Sequence, residues 1–167
     1  GGALVHADPA GDLGAPVLAL DAELVIAGPG GERRVPAREF FVDLFETAVG
    51  DDELLTAIRI PKHTGWGGAY EKFVRVSHQW SIVAVAAVAP PGGSAQQAKI
   101  GLTNMGSTPL RAAATEAALA GGASVEEACA RAAEGTNPPS DLNGDAEYRA
   151  HLATVLTRRA IQRAVGG

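Results

Sequence analysis

The sequence predicts an α+β fold in which a three-stranded antiparallel sheet is covered by helices. Three stretches carry this prediction. Residues 69–76 alternate in polarity, with Tyr70 and Lys72 on one face, which is the period of a β-strand. Residues 81–88 form a near-continuous run of alanine and β-branched residues, which is typical of a strand buried on both faces. Residues 145–165 carry the longest helical pattern of the chain.

The elements of the first third of the chain follow from its caps and turns. Asp8, which precedes a proline, predicts a helix N-cap with proline in the first turn. The segments 22–27 and 32–35 flank a Gly-Pro-Gly-Gly turn, so they predict a β-hairpin. A short helical turn is expected over residues 36–41. Residues 53–60 predict a strand that ends at a proline.

The rest of the chain predicts a third strand and two more helices beside the long one. Residues 77–80 turn the chain between the first two strands, and residues 96–102 predict the third. A threonine N-cap followed by proline predicts a helix that starts at Thr108. Residues 124–133 begin with a capping box, which is a serine followed three residues later by a glutamate, and they predict another helix.

Length and local composition predict how the chain is divided. Its 167 residues are enough for one domain, or for a small domain plus part of another. The glycine-containing link at residues 63–68 predicts a boundary between a domain of residues 1–62 and a domain of residues 63–167. Because the chain opens with Gly-Gly-Ala rather than methionine, we expect it to be a fragment of a longer polypeptide.

Charge and composition argue against several classes of protein. The formal net charge is −5 and no basic cluster is present, so nucleic acid is not expected as a partner. No apolar run is long enough for a membrane span. The single cysteine, Cys129, excludes a disulfide framework or a thiolate metal cage within the chain. The four histidines lie in separate segments, so no metal site is expected.

Two side chains near the central strand pair could reach a ligand. Lys72 lies on the first strand and Trp80 in the turn that follows it, where a long cation and a flat ring can contact a bound molecule. The alternative is a solvated lysine and a half-buried indole, which spacing alone favours. Gly1 and Gly2 would allow the backbone to approach a phosphate, although paired glycines also occur in ordinary loops.

Six stretches of the sequence together resemble one protein family. They are GGALVHADPAGDL, ELLTAIRIP, GAYEKF, QWSIVAVAAV, IGLTNMGSTPL and AEYRAHLATVLTRRAI. In this order and spacing they resemble the flavin-binding medium subunits of molybdenum hydroxylases of the xanthine dehydrogenase family. Within that family they most resemble the medium subunits of the aerobic carbon monoxide dehydrogenase type. The resemblance covers essentially the whole chain.

The resemblance implies a fold in two parts. The flavin domain of this family is of the p-cresol-methylhydroxylase type, with two lobes that hold FAD between them, and it is followed by a C-terminal α+β domain. Residues 1–62 would form the later part of the second lobe, and residues 63–167 would form the C-terminal domain. The glycine-rich loop that wraps the pyrophosphate in the family would lie upstream of residue 1.

The resemblance also implies which residues bind the cofactor in the first domain. Gly1 and Gly2 would be the remainder of a second glycine-rich loop, and Ala3 stands where the family commonly has asparagine or aspartate. Asp12 matches an acidic residue that hydrogen-bonds FAD in the family. Leu55 matches an apolar residue that packs near the adenine or ribityl part.

Two further positions of the family pattern fall in the second domain. Lys72 matches a lysine that contacts the flavin, and Trp80 matches an aromatic residue beside the isoalloxazine, while Gln79 stands where aspartate is usual. A flat ring can stack on a flavin, and a cation can stabilise the negative charge of a reduced flavin. With the resemblance, contact with the flavin becomes the favoured interpretation of Lys72 and Trp80. No catalytic residue and no metal ligand are implied.

By resemblance, the function is electron relay rather than substrate binding. In the family, substrate is oxidised at a molybdenum cofactor in a large subunit, and electrons cross [2Fe–2S] clusters in a small subunit. FAD in the medium subunit passes them to an external acceptor, which is a quinone, NAD or oxygen. The expected assembly is a dimer of heterotrimers. Its expected location is cytoplasmic, with association at a membrane through the electron acceptor as an alternative.

Two alternatives stay open. The chain could serve a family member with a purine, aldehyde or N-heterocycle substrate, because substrate choice lies in the large subunit. It could also be a non-catalytic module that only docks other subunits. The cofactor interpretation requires Lys72 and Trp80 to face a cleft shared with Gly1, Gly2 and Asp12. Because half of the FAD cradle is missing, the fragment alone is expected to bind FAD weakly and to be inactive.

Overall fold

The computed structural model describes residues 1–166. Within them the chain forms six α-helices: α1 (Gly2–His6), α2 (Gly14–Ala19), α3 (Ala37–Phe40), α4 (Ala113–Ala120), α5 (Val125–Cys129) and α6 (Ala146–Gly166). It also forms nine strands: β1 (Glu23–Gly28), β2 (Gly31–Pro36), β3 (Phe41–Asp43), β4 (Glu46–Thr47), β5 (Leu54–Arg59), β6 (Gly67–Phe73), β7 (Val83–Ala89), β8 (Lys99–Thr103) and β9 (Leu110–Arg111). A short 3₁₀ turn covers residues 95–97. The result is the mixed α and β architecture with antiparallel sheets that the sequence predicts.

The first sheet has three antiparallel strands in the order β2-β1-β5. Leu24 of β1 lies opposite Val35 of β2 and Ile58 of β5. The predicted hairpin and the predicted strand over residues 53–60 are therefore confirmed. Leu24, Ile26 and Phe40 are fully buried in the core of this sheet. A small hairpin of β3 and β4, which the sequence analysis missed, follows α3.

The second sheet has four antiparallel strands in the order β6-β7-β8-β9. The three predicted strands form its body, and the two-residue β9 adds a short fourth strand that was not predicted. β7 is central, and α6 packs along one face, where Val83, Val85 and Ile161 are buried in a common core. α6 comes so close to β6 that a Cβ on Gly67 would lie 1.9 Å from the Ala164 carbonyl oxygen.

The opposite face of this sheet is covered by α2, although α2 belongs to the first part of the chain. Ala15 and Ala19 of α2 pack on Ala86 of β7. A Cβ on Gly101 of β8 would lie 2.2 Å from the Ala15 carbonyl oxygen, so the backbones of α2 and β8 are in direct contact. Because β6 and β7 pair in register, Tyr70 also faces α2. The loop before α2 is thus held over this face.

The prediction that Asp8 caps a helix is wrong. Its Oδ1 accepts a hydrogen bond from the amide of Ala10 at 2.9 Å, which closes a local turn instead of a helix. The helices of this region are α1 before that turn and α2 after it, and Leu13 occupies the N-cap position of α2. The Gly11 amide also donates to the Asp8 carbonyl at 2.9 Å, so the chain turns here, and the next helix begins only at Gly14.

The helix predicted from Thr108 begins later, at α4. Leu110 and Arg111 extend as β9 and pair with β8, and the Ala112 amide donates to the Ile100 carbonyl at 3.0 Å. Sheet pairing therefore overrides the threonine–proline start signal. The capping box at Ser124 is confirmed, but α5 ends at Cys129 instead of residue 133. α6 matches the predicted helix of residues 145–165 closely.

Candidate functional site

The most distinctive polar contact on the α2 face of the second sheet joins Asp12 to Lys72 and Tyr70. The Lys72 ammonium lies 2.8 Å from Oδ1 and 3.0 Å from Oδ2 of Asp12. The Tyr70 hydroxyl donates to Oδ1 at 3.0 Å. Tyr70 and Lys72 are two residues apart on β6, so they share the face that the loop before α2 covers. Burial, with the hydrogen bond and negative charge of Asp12, raises the pKa of Tyr70 well above its usual range.

Asp12, Lys72 and Trp80 line one open cavity of about 400 Å³. Its remaining wall comes from His78 and Gln79, in the turn between β6 and β7. Trp80 is 56% exposed, so most of its ring is available to a bound molecule. The structure therefore brings Asp12 together with Lys72 and Trp80, two sequence-predicted residues that lie 60 or more positions further along the chain.

A second cavity of about 360 Å³ lies on the α1 side of Trp80. Ala3, Asp12 and Trp80 all line it, together with Gly11 and Phe41. Because Asp12 and Trp80 line both cavities, the two cavities border one another. We call them together the Asp12–Trp80 cleft.

The other predicted cofactor residues lie just outside this cleft. Gly1, Gly2 and Leu55 line neither of its two cavities. Gly1 approaches β5, since a Cβ on Gly1 would lie 3.2 Å from the Leu55 carbonyl oxygen. A Cβ on Gly2 would meet nothing within 4 Å, so the backbone there is open to an approaching group. Gly1 therefore lies beside Leu55, and Gly1 and Gly2 directly precede Ala3, the α1 residue that lines the cleft.

A larger cavity of about 790 Å³ lies on another side of Trp80, and the sequence analysis did not anticipate it. Three of its lining residues have left-handed backbone conformations: Phe45 (φ 56°), His78 (φ 67°) and Asn104 (φ 58°). Such conformations are uncommon for residues other than glycine, and they mark positions that surrounding contacts determine. Asn104 lies in the polar loop after the third predicted strand, and its residue type is the one signal that could have indicated this conformation.

Arg149 of α6 also lines the 790 Å³ cavity, and its side chain is 1% exposed. One guanidinium nitrogen donates to Asp141 Oδ1 at 2.7 Å, and another donates to the carbonyl of Ile82. Its Nε has no hydrogen-bond partner among the described residues. Burying an arginine costs free energy unless the guanidinium is paired and hydrogen-bonded. These two contacts meet that requirement, and they tie α6 to the start of β7 and to the loop of Asp141.

A cluster of ion pairs links the two sequence-predicted domains just after the C-terminal end of α2. Asp21, in the turn after α2, accepts hydrogen bonds from Lys99 and Arg111, and Arg111 also pairs with Glu116 at 2.7 Å. Burial acts to raise the pKa of Asp21, but hydrogen bonds and charge from Lys99 and Arg111 outweigh it and lower that pKa. The contacts therefore fix the start of the first sheet to the second sheet.

Cys129 and the possible metal ligands of residues 1–166 were the remaining candidates for a reactive or metal-binding site. Cys129 is buried in the core beneath α6, and burial raises the pKa of its thiol to about 11. It is therefore a core residue, as predicted, and not a reactive thiolate. Across residues 1–166, no group of three histidine, cysteine, aspartate or glutamate side chains could hold a metal ion.

Comparison with known families places this geometry in context. Residues 1–63 match the model of the FAD binding domain in molybdopterin dehydrogenase. Residues 68–164 match the model of the CO dehydrogenase flavoprotein C-terminal domain. The chain belongs to the CO dehydrogenase flavoprotein family. The resemblance recognised in the sequence is thereby confirmed, and the two sheets correspond to two successive family models.

Curated relatives and solved structures agree with this membership of the CO dehydrogenase flavoprotein family. The carbon monoxide dehydrogenase medium chains of Afipia carboxidovorans and Hydrogenophaga pseudoflava are 42% and 35% identical to this flavoprotein, each over 98% of it. A solved carbon monoxide dehydrogenase from H. pseudoflava superposes with a TM-score of 0.91 at 38% identity, covering 99% of this chain and 60% of the other. The flavoprotein spans 59% of the length of these two curated relatives.

Relatives of other specificity are also similar to the flavoprotein. The glyceraldehyde dehydrogenase medium chain of Sulfolobus acidocaldarius is 31% identical over 97% of this chain and 59% of its own length. The structure of quinoline 2-oxidoreductase from Pseudomonas putida 86 superposes with a TM-score of 0.88 at 28% identity, covering 100% of this chain and 60% of the other. The fold is therefore shared by relatives that are named for different substrates.

The residues that line the Asp12–Trp80 cleft are of types that suit a flavin cofactor. The exposed Trp80 ring offers an apolar surface that borders both cavities of the cleft, which have volumes of about 400 and 360 Å³. Lys72 supplies a positive charge in the first of these cavities, and the unobstructed backbone of Gly2 directly precedes Ala3, which lines the cleft. Both Asp12 oxygens are already engaged by Lys72 and Tyr70, so the chief effect of Asp12 is to hold Lys72 in place.

None of the helices within residues 1–166 is both long and apolar enough to cross a membrane.

Proposed function

We propose that this flavoprotein belongs to the FAD-binding electron-transfer subunit of a molybdenum hydroxylase most like carbon monoxide dehydrogenase. In this function it carries electrons from [2Fe–2S] clusters, through FAD, to an external acceptor. The observation that carries the proposal is the Asp12–Trp80 cleft, in which Asp12, Lys72 and Trp80 converge from separate segments. The family membership and the identity to two carbon monoxide dehydrogenase medium chains support it.

Bound FAD would supply the redox chemistry by accepting and releasing electrons at its isoalloxazine ring. Trp80 would provide a flat surface against that ring and exclude water from one side of it. Lys72 would place a positive charge where negative charge develops on reduction, and Asp12 would keep that ammonium in position. Ala3, Gly1, Gly2 and Leu55 would border the rest of the cofactor. No residue of the chain is assigned an acid or base function.

The assembly and location of the flavoprotein are part of the same proposal. Its partners would be a large subunit with the molybdenum cofactor and a small iron–sulfur subunit, in a dimer of heterotrimers. The complex would be cytoplasmic, with contact to a membrane only through the electron acceptor. We keep the domain boundary between residues 62 and 63 as a proposal, which the ranges of the two matched family models support.

A second candidate function is the same electron relay in a hydroxylase of another substrate, such as an aldehyde or an N-heterocycle. The similarity to a glyceraldehyde dehydrogenase medium chain and to quinoline 2-oxidoreductase favours it. The carbon monoxide dehydrogenase medium chain of Afipia carboxidovorans is more similar, at 42% against 31% and 28% identity, so we rank the first candidate higher. A non-catalytic docking module has less support, because docking alone does not require an open cleft beside an exposed tryptophan.

The test is a spectrum of the native complex, isolated through this chain, together with iron and molybdenum analysis. We expect flavin absorption, iron and molybdenum in one complex. Flavin without either metal would replace the proposal with a stand-alone flavoprotein. A complex without any chromophore would overturn the electron-relay function and favour the docking module. Turnover assays with carbon monoxide, aldehydes and N-heterocycles then separate the two candidate functions.

The chain of 167 residues should by itself bind FAD weakly and show no dehydrogenase activity, because it spans 59% of the length of the two carbon monoxide dehydrogenase medium chains. Titration of the isolated chain with FAD should show no saturable quenching of flavin fluorescence at micromolar concentrations. The full-length subunit is the matched control. Submicromolar binding by the isolated chain would show that these residues are sufficient to hold the cofactor.

A further inference from the structure

The turn that carries Trp80 is exposed on one side and firmly attached on the other. Residues 75–80 are all exposed, whereas residues 81–87 are buried. Trp80 is thus the last exposed residue before the chain enters the core. Its ring edge lies 3.8 Å from the position that a Cβ on Gly11 would take, so it rests against the loop that carries Asp12. The orientation of the ring depends on what holds the residues directly after it.

Ser81 and Ile82 precede the start of β7, and their carbonyl groups are bound by side chains. Asn104 Nδ2 donates to the Ser81 carbonyl at 2.9 Å and to the Ile82 carbonyl at 3.2 Å. Arg149 donates to the same Ile82 carbonyl from α6. Buried carbonyl groups need such partners, so the backbone after Trp80 is fixed by these side chains. Asn104 is the residue that contacts both carbonyls.

Asn104 also holds the opposite side of the cleft. Its backbone N–H donates to the Pro9 carbonyl at 2.7 Å, and this hydrogen bond fixes the turn before Asp12. Ser81 Oγ adds a parallel connection by donating to the Ala10 carbonyl at 3.0 Å. The backbone of Asn104 is left-handed, a conformation that asparagine tolerates better than most residues. One residue therefore connects the Trp80 turn to the Asp12 loop.

We propose that Asn104 is a positioning residue, which fixes Trp80 against the Asp12 loop and so sets the width of the Asp12–Trp80 cleft. This inference rests on the proposed function, because its effect on FAD passes through Trp80. Asn104 lines the neighbouring 790 Å³ cavity and neither cavity of the cleft, so it acts on the cofactor only through the backbone that it holds. Asn104→Asp keeps the size of the side chain and tolerates the same left-handed backbone. It removes Nδ2, the donor to the Ser81 and Ile82 carbonyls, and leaves the backbone bond to Pro9 in place.

The test is a double-mutant cycle on FAD affinity in the full-length subunit within its native complex. Asn104→Asp should raise the dissociation constant of FAD about tenfold when Trp80 is present and less than twofold when Trp80 is replaced by alanine. The visible circular dichroism of the bound flavin should change with Asn104→Asp in the Trp80 background. Asn137→Asp makes the same chemical change on the wall of the 790 Å³ cavity and should alter neither quantity.

The outcomes separate the inference from the function on which it rests. A wild-type subunit that holds no FAD would overturn both. Wild-type binding together with the same factor for Asn104→Asp in both backgrounds would overturn the positioning role alone, because Asn104 would then act without Trp80. If the aspartate variant fails to fold, Asn104→Gly retains the left-handed backbone and removes the same donor. An unchanged FAD affinity in that variant would likewise overturn the role.

Discussion

The ammonium of Lys72 lies within 3.0 Å of both carboxylate oxygens of Asp12, although the two residues are separated by 60 positions in the chain. The contact joins a loop of the first part of the chain to a strand of the second sheet. Tyr70 donates a further hydrogen bond to the same carboxylate. The position of the cation beside Trp80 is therefore set by long-range packing and not by the local conformation of β6.

Replacement of Asp12 by asparagine should weaken FAD binding through Lys72. The neutral amide keeps the size of the side chain but removes the charge that holds the ammonium, so Lys72 would leave its position beside the cleft. We expect the dissociation constant of FAD in the full-length subunit to rise about tenfold, which corresponds to about 1.4 kcal/mol. Fluorescence titration measures it, and Asp51→Asn at an exposed position is the matched control. An equal rise in the dissociation constant for Asp51→Asn would show that the ion pair of Asp12 with Lys72 is not the cause.

Replacement of Trp80 by alanine should lower the affinity for FAD while leaving stability almost unchanged. The ring is 56% exposed, so its removal opens little of the core, but it deletes the flat surface of the cleft. A stacked aromatic pair contributes about 0.5–1.5 kcal/mol beyond area burial, so the affinity should fall roughly two- to twelvefold. Trp66→Ala is the control, since Trp66 lines neither cavity of the cleft. If both variants bind FAD equally, Trp80 does not contact it.

The ion pairs of Asp21 should make stability depend on pH below neutrality. The folded chain lowers the pKa of Asp21, so its stabilising contribution is present above the unfolded-state value of about 3.9 and is lost as pH falls through the folded-state value. Asp21→Asn should cost about 1 kcal/mol at pH 7, after allowance for solvent screening of a partly exposed group. Urea unfolding at several pH values measures this difference. The free energies of unfolding of the two proteins should converge as pH falls through the lowered folded-state pKa of Asp21, and a constant difference would exclude the ion pairs as the cause.

A side chain at Gly101 should destabilise the chain strongly. A Cβ there would lie 2.2 Å from the carbonyl oxygen of Ala15, so α2 would have to move away from β8. Overpacking of this kind typically costs about 1–3 kcal/mol, and a backbone obstacle places Gly101→Ala at the upper end. Thermal unfolding should show a clearly lower midpoint. Gly30→Ala is the control, because a Cβ at Gly30 meets nothing within 4 Å. Equal midpoints for the two variants would contradict the close contact.

The strands and the long helix could be predicted because their periodicity is local. The alternation at residues 69–76 and the apolar run at 81–88 correspond to β6 and β7, and the pattern of 145–165 corresponds to α6. The helix starts expected at Asp8 and Thr108 were wrong. At each position the chain makes another contact, which the local sequence of a helix cap does not reveal. For Asp8 it was a local turn, and for Thr108 it was pairing with β8.

The candidate site was predictable only in part. The period of β6 indicated that Lys72 faces the same side as Tyr70, but nothing in the sequence near Lys72 indicates Asp12 as its partner. The importance of Asn104 was likewise hidden, because its contacts join Pro9 to Ser81 and Ile82 across the fold. Whether Gly1, Gly2, Ala3, Asp12, Leu55, Lys72 and Trp80 contact FAD stays a prediction.

The close seating of α2 on β8 has a consequence for how this chain responds to cleavage. The link at residues 63–68 separates two family models along the sequence, yet α2 and the ion pairs of Asp21 hold the two parts together in space. A protease that cuts the link would leave a nicked but associated pair of fragments. Asp12 would come from one fragment and Lys72 from the other, so the cleft would survive the loss of chain continuity.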